Sequence, residues 1–209
     1  MEYFSIDTPS LKASFKEAVI KGIAPDKGLY YPDHIPSLDP SFFNQIESLS
    51  PVEIGLEVMR PFTQDILSKS DLKKVLETVL DFEFPVVPLS DSIGSLELFH
   101  GPTLAFKDVG ARFMAQCLGL FSEKNQAPVT VLVATSGDTG GAVANGFLGV
   151  EGVEVVILYP SGKVSPIQEK QLTTLGQNIK ALEVNGSFDD CQKMVKTAFL
   201  DTEITDYKQ

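Results

Sequence analysis

Two stretches of the chain carry side chains whose types and spacing could do chemistry. The first runs Phe99-His100-Gly101-Pro102-Thr103-Leu104-Ala105-Phe106-Lys107-Asp108. A lysine that follows Leu-Ala-Phe and opens a helix meets apolar surroundings and the positive helix end, and both work against an ammonium there. An amine held neutral is a nucleophile or a base. The same residues also allow a snorkelling surface lysine paired with Asp108. His100 stands alone and reads equally well as a satisfied loop residue.

The second stretch is Ala134-Thr135-Ser136-Gly137-Asp138-Thr139-Gly140-Gly141. Its glycines permit a tight turn and a close backbone approach, and Thr135, Ser136 and Thr139 add hydroxyls beside free backbone N–H groups at a helix start. That is a cradle for an anion, either a carboxylate or a phosphate. It is neither a Walker loop nor a G-x-G-x-x-G fingerprint. Asp138 would repel a bare anion, so it bonds a hydroxyl or a protonated group of the ligand, or turns outward to solvent. The plain alternative is a glycine-rich strand-to-helix turn with a capping threonine.

These stretches need elements to position them. From about residue 128 the pattern alternates regularly. Apolar strands run from Val129 to Ala134, Val153 to Tyr159 and Ile179 to Val184, and helices run from Gly140 to Leu148, Pro166 to Leu175 and Asp189 to Leu200. Apolar strands separated by helices imply a parallel sheet covered on both faces and joined by right-handed crossovers. In such a sheet ligands bind beyond the carboxyl ends of the strands, which is where the Thr135 loop falls.

Upstream, Val86 to Leu89 and Ser95 to Phe99 read as short strands, and a helix after Lys107 would put Phe113, Cys117 and Leu120 on one face. The first 84 residues read as mainly helical. Thr8 caps a helix with Pro9 at its first position, Leu11, Phe15 and Val19 on one face and Gly22 at its end. Residues 24–32 form an irregular excursion or short strand pair. Ser50 and Glu53 make a capping box for a helix through Met59, and Asp71 caps another through Leu80. The expected fold class is therefore α/β, a helical N-terminal region (1–84) followed by a doubly wound, mostly parallel sheet domain (85–209).

Composition narrows the function. At 209 residues and 43% hydrophobic content the chain can bury a real core. Seventeen basic against 28 acidic residues give a net charge of −11, which repels a phosphate backbone and argues against a nucleic-acid partner. No apolar run approaches the roughly 18 residues of a membrane span, and the start lacks a signal peptide, so the expected location is cytoplasmic. Two histidines provide no metal cluster, and Cys117 and Cys191 read as packing residues on helices.

The segment from His100 to Asp108 resembles the cofactor-lysine segment of threonine synthases, and Thr135 to Gly140 resembles their substrate loop. Further similar stretches lie at 22–32, Tyr159 to Ser165 and Asn185 to Gln192, in the order found in the bacterial and fungal branch. The resemblance implies a pyridoxal phosphate (PLP) enzyme of fold type II, a lyase that converts O-phospho-L-homoserine and water to L-threonine and phosphate. In that reading Lys107 holds the cofactor covalently and serves as the catalytic base. Thr135, Ser136, Gly137 and Thr139 hold the substrate carboxylate, and Asp138 lies near the cofactor's 3′-oxygen. It also implies that the chain corresponds to an N-terminal half, without the loop that grips the cofactor phosphate, and is inactive alone. Competing readings are another fold type II enzyme such as a dehydratase or cysteine synthase, a lyase acting on a related phosphorylated amino acid, and a catalytically silent α/β domain that binds an anionic metabolite.

Overall fold

The protein is described by a computed structural model covering residues 1–122, 128–199 and 201–207. It divides into two compact units, Met1–Asp81 and Phe82–Gln209.

The first unit is not purely helical. Strand β1 (Tyr3–Ser5) pairs antiparallel with both β2 (Lys12–Ala13) and β3 (Tyr30–Pro32), with Tyr3 opposite Ala13 on one side and Pro32 on the other. That pairing removes residues 8–13 from the expected helix. Helix α1 is Phe15–Lys21, and its start is fixed by a capping box in which Ser14 and Glu17 bond each other's backbone N–H. Thr8-Pro9 instead begins a turn closed by Leu11 N–H donating to the Thr8 carbonyl at 2.9 Å. Gly22 ends α1 as expected, with φ +67°.

Short α2 (Pro40–Gln45) and a 3-10 turn (Ile46–Ser48) lead to α3 (Pro51–Thr63) and α4 (Lys69–Val79). The Ser50–Glu53 capping box opens α3, which runs past Met59 and carries Pro61 in its last turn. The cap of α4 is Ser68, whose hydroxyl accepts the Asp71 N–H, so Asp71 is the third helical residue and not the cap. Leu72, Val75, Leu76 and Val79 form its buried stripe at helical spacing.

The second unit opens with an antiparallel hairpin, β4 (Val86–Ser90) and β5 (Ile93–Leu96), which stops short of Phe99. Helix α5 (Asp108–Phe121) buries Ala115, Cys117, Leu118 and Phe121. Its apolar face is thus rotated from the expected one, and Leu120 is exposed. Strands β6 (Val129–Ala134), β7 (Val153–Pro160) and β8 (Ile179–Val184) form a parallel sheet in the order β6-β7-β8, with Val131 opposite Val155 and Ile157 opposite Ala181. Helices α6 (Asp138–Phe147) and α7 (Pro166–Thr173) follow β6 and β7, and α6 packs against both α5 and α7. Helix α8 (Phe188–Ala198) packs on β6 and β7, on the face that carries Thr130, Leu132, Val156 and Leu158, with which it lines a groove. Val155 and Ile157 alternate with those and are wholly buried. Helices therefore lie on both faces of the sheet, as the alternation implied, with part of the α8 face left open. A final helix, α9, spans Thr202–Tyr207. The expected helix end at Leu200 lies outside the described residues. Both cysteines are free and buried on helices.

Candidate active site

Lys107 stands at the N-cap of α5, at the end of a chain of tight turns. Leu104 N–H donates to Gly101 O at 3.1 Å and Asp108 N–H to Ala105 O at 3.0 Å. Leu104, a non-glycine residue, holds φ +60° with its side chain largely in solvent. Such strain persists only where neighbours over-determine the backbone. The neighbour here is Asp108. Its carboxylate is 1% exposed and folds back to accept the Thr103 N–H at 2.9 Å and the Thr103 hydroxyl. Gly101 makes room for it, since a Cβ there would lie 2.5 Å from Asp108 Oδ2 and 2.9 Å from Phe82 Cζ.

The commitment of Asp108 to Thr103 settles one of the open readings. Asp108 clamps the turn and does not pair with Lys107. Among the described residues no carboxylate forms an ion pair with Lys107, whose Nζ lies 4.5 Å from the centroid of the Phe106 ring. His100 is satisfied within its loop, with Nε2 2.7 Å from Glu97 Oε2 and its ring stacked on Phe99.

The loop after β6 is organised by one hydroxyl. Thr135 is 1% exposed, and its Oγ1 accepts N–H bonds from Gly137 at 3.0 Å and Gly140 at 2.8 Å while facing Gly137 O at 3.2 Å. Its own N–H extends the sheet ladder to Leu158 O. Thr135 is therefore occupied inside the loop, whereas Ser136, Asp138 and Thr139 are exposed. Gly137 takes φ +140°, ψ −88°, a conformation open only to glycine, and a Cβ there would meet the Gln168 amide at 2.4 Å. With Gly140 and Gly141 N–H bonded internally, the N–H groups of Ser136, Asp138 and Thr139 have no acceptor among the described residues. Free N–H groups at a helix start are the kind of donor set that accepts an anion. Asp138 Oδ1 accepts from Gln168 Nε2 at 2.7 Å.

Packing brings the two stretches to the same end of a helix pair. The Cβ position of Gly146 in α6 lies 3.2 Å from the Ala111 backbone of α5, and that of Gly119 in α5 lies 3.0 Å from Val150, just past α6. Both pairs ascend together, so α5 and α6 run in the same sense. Their starts, Lys107 and the Thr135–Gly141 loop, therefore lie toward the same end of the helix pair.

Burial pushes the Cys117 thiol up to about 12, which removes it from consideration as a nucleophile. A groove of about 780 Å³ lies elsewhere, on the α8 side of the sheet, and its lining of Leu132, Leu158, Met194 and Phe199 offers packing but little chemistry. Two residues of the site escape sequence reading: Asp108 as the turn clamp and Gln168 as the partner of Asp138. The spacing Ser165-x-x-Gln168, a capping box at the start of α7, was the available signal for the second.

Comparison with known proteins follows the same division. Residues 2–79 match the family model described as threonine synthase N terminus, and residues 95–206 match that described as pyridoxal-phosphate dependent enzyme. The threonine synthase of Buchnera aphidicola (subspecies Acyrthosiphon pisum) is 44% identical over 205 residues, covering 98% of this chain and 48% of that protein. The crystal structure of threonine synthase from Escherichia coli superposes with a TM-score of 0.89 at 41% identity, over 100% of this chain and 48% of that one. A PLP-bound threonine synthase from Brucella melitensis gives 0.91 at 36% identity, over 100% and 46%. The chain spans about half the length of the curated relatives it matches.

Proposed function

We propose, from the premise that this chain belongs to the pyridoxal-phosphate-dependent enzyme family, that it carries the cofactor lysine and the substrate loop of a carbon–oxygen lyase of the threonine synthase type. The proposed reaction converts O-phospho-L-homoserine and water to L-threonine and phosphate. The observation that carries the reading is two helix starts at the same end of a helix pair, one presenting an amine and the other N–H groups, neither with a partner of opposite charge or acceptor among the described residues.

The residues fit the cofactor. Lys107 would hold it, and Asp138, exposed beside the cradle, would face its ring oxygen. When bound, PLP supplies an electron sink for the substrate's Cα. The chain's own residues do the rest. N–H groups of Ser136, Asp138 and Thr139, with the hydroxyls of Ser136 and Thr139, hold the substrate α-carboxylate. Thr135 and Gly137 shape the backbone that aims them. Lys107 Nζ takes the proton from Cα and then one from Cβ, so that phosphate leaves from Cγ, and it returns one proton to Cγ and one to Cα as water adds at Cβ. The Phe106 ring, 4.5 Å from the amine, gives it an apolar neighbour.

A cytoplasmic location accompanies this reading, supported by the absence of any helix among the described residues long and apolar enough to cross a membrane. The test is borohydride reduction of the PLP-loaded enzyme at its relatives' full length, followed by peptide mass mapping, beside phosphate release from O-phospho-L-homoserine and from O-phospho-L-threonine. A pyridoxyl adduct on Lys107 with turnover of the homoserine ester is expected. An unlabelled Lys107 refutes the reading in favour of a silent anion-binding domain. The 209-residue chain alone is expected to bind PLP weakly, so a band near roughly 420 nm at stoichiometric PLP counts against the expectation that this half lacks the grip on the cofactor phosphate.

A further inference from the structure

A carboxylate beside a cradle for anions is an electrostatic contradiction, and the structure contains the group that resolves it. Gln168 is the third residue of α7. Its backbone N–H donates to Ser165 Oγ at 3.3 Å, its Oε1 accepts the Ser165 N–H at 3.0 Å, and its Nε2 donates to Asp138 Oδ1 at 2.7 Å across 30 residues of sequence. The amide has one consistent orientation, because a backbone N–H can only donate and an ionised carboxylate can only accept. The cap of α7 therefore dictates where Nε2 points, and Nε2 dictates where Asp138 points. Gly137, lacking a Cβ, is what lets the amide reach the loop.

We propose that Gln168 is a positioning residue for the cofactor site. It holds Asp138 Oδ1, so that the carboxylate neither folds onto the free N–H groups of the cradle nor swings freely, and it leaves Oδ2 to accept from a protonated oxygen of the cofactor ring. The proposal rests on the reading above in which Asp138 faces the cofactor, and it adds the residue that makes an acidic side chain workable there.

The test uses the PLP-loaded full-length enzyme and three variants. Gln168→Glu keeps the capping box, since glutamate serves at that position as well as glutamine, but it replaces the donor to Asp138 with a second carboxylate oxygen. Asp138→Asn removes the charge, and the double variant restores a donor–acceptor pair with its direction reversed. Two readouts are followed: the pH midpoint of the cofactor's visible absorption band, and kcat and KM separately. For Gln168→Glu we expect a shifted band midpoint, kcat lowered about tenfold or more at pH 8 with KM changed far less, and a loss that shrinks as pH falls and the carboxylate pair gains a shared proton. In Asp138→Asn/Gln168→Glu, kcat is expected to recover to within about threefold of Asp138→Asn alone, because two separate lesions would instead combine. A structural role in capping alone predicts that Gln168→Glu moves neither readout. That result, with the band still moved by Asp138→Asn, overturns the proposal and leaves the cofactor reading intact. If Asp138→Asn also leaves the band unmoved, Asp138 does not face the cofactor, and the proposal falls with its premise.

Discussion

Replacing Thr135 by valine keeps the side chain's shape and removes one oxygen. That oxygen accepts the N–H of Gly137 at 3.0 Å and of Gly140 at 2.8 Å in a position 1% exposed. Each donor left unsatisfied in a buried place costs about 1–3 kcal/mol, so Thr135→Val is expected to destabilise its unit by about 2–6 kcal/mol. Thr135→Ser keeps the oxygen and loses a methyl group that packs on Gly140, costing about 1 kcal/mol. With a urea slope of about 2 kcal/mol per molar, valine lowers the midpoint by about 1–3 M and serine by about 0.5 M. Urea titration followed by far-ultraviolet circular dichroism measures both. The order wild type, serine, valine is the signature of a loop held by a hydroxyl. A valine midpoint at or above that of serine refutes the reasoning, since shape would then matter and the oxygen would not.

Three further outcomes are expected. Gly140→Ala places a methyl 2.5 Å from Thr135 Cγ2 and 2.9 Å from Leu172 Cδ2, an overpacking expected to lower stability by about 1–3 kcal/mol, measured by thermal unfolding; an unchanged midpoint refutes it. Both thiols are buried, and that of Cys117 is pushed up to about 12 by desolvation, so aromatic disulfide reagents at pH 8 should label Cys117 only at the rate of unfolding; rapid stoichiometric labelling of folded protein contradicts this. The Ser14 backbone N–H and hydroxyl lower Glu17, and the Ser50 hydroxyl and backbone N–H lower Glu53. Because the folded values lie below the ordinary 4.5, the stabilisation is complete above it and is lost as pH falls through the depressed values; a urea midpoint flat from pH 6 to 3 refutes this linkage.

The parallel sheet was legible almost to the residue. Val129–Ala134 is a mostly apolar run of strand length, Ile179–Val184 is an edge strand that also carries Lys180 and Glu183, and each is ended by a residue group that favours turns and follows the strand-helix alternation. Helix starts were less legible where two signals competed. Thr8-Pro9 reads as a cap, but the same dipeptide serves a turn, and strand pairing of Lys12–Ala13 left the cap to Ser14. The side-chain stripe of α5 was misassigned because Leu120 fits the period while solvent, not core, lies on its side. The chemical segments were visible by type and spacing; their internal economy was not. That Thr135 is consumed within its loop, that Asp108 turns back to Thr103 and that Gln168 reaches Asp138 are tertiary facts, decided by which groups burial strands without a partner.

The contact between α5 and α6 has a further consequence. At Gly146 the helices touch backbone to backbone, about 12 Å along α6 from the loop that begins it. The separation between the amine and the anion cradle is thus gauged by a missing side chain far from either. A single methyl at that point would wedge the pair apart at its fulcrum and reset the gap between the two helix starts, while leaving in place every group proposed to touch substrate.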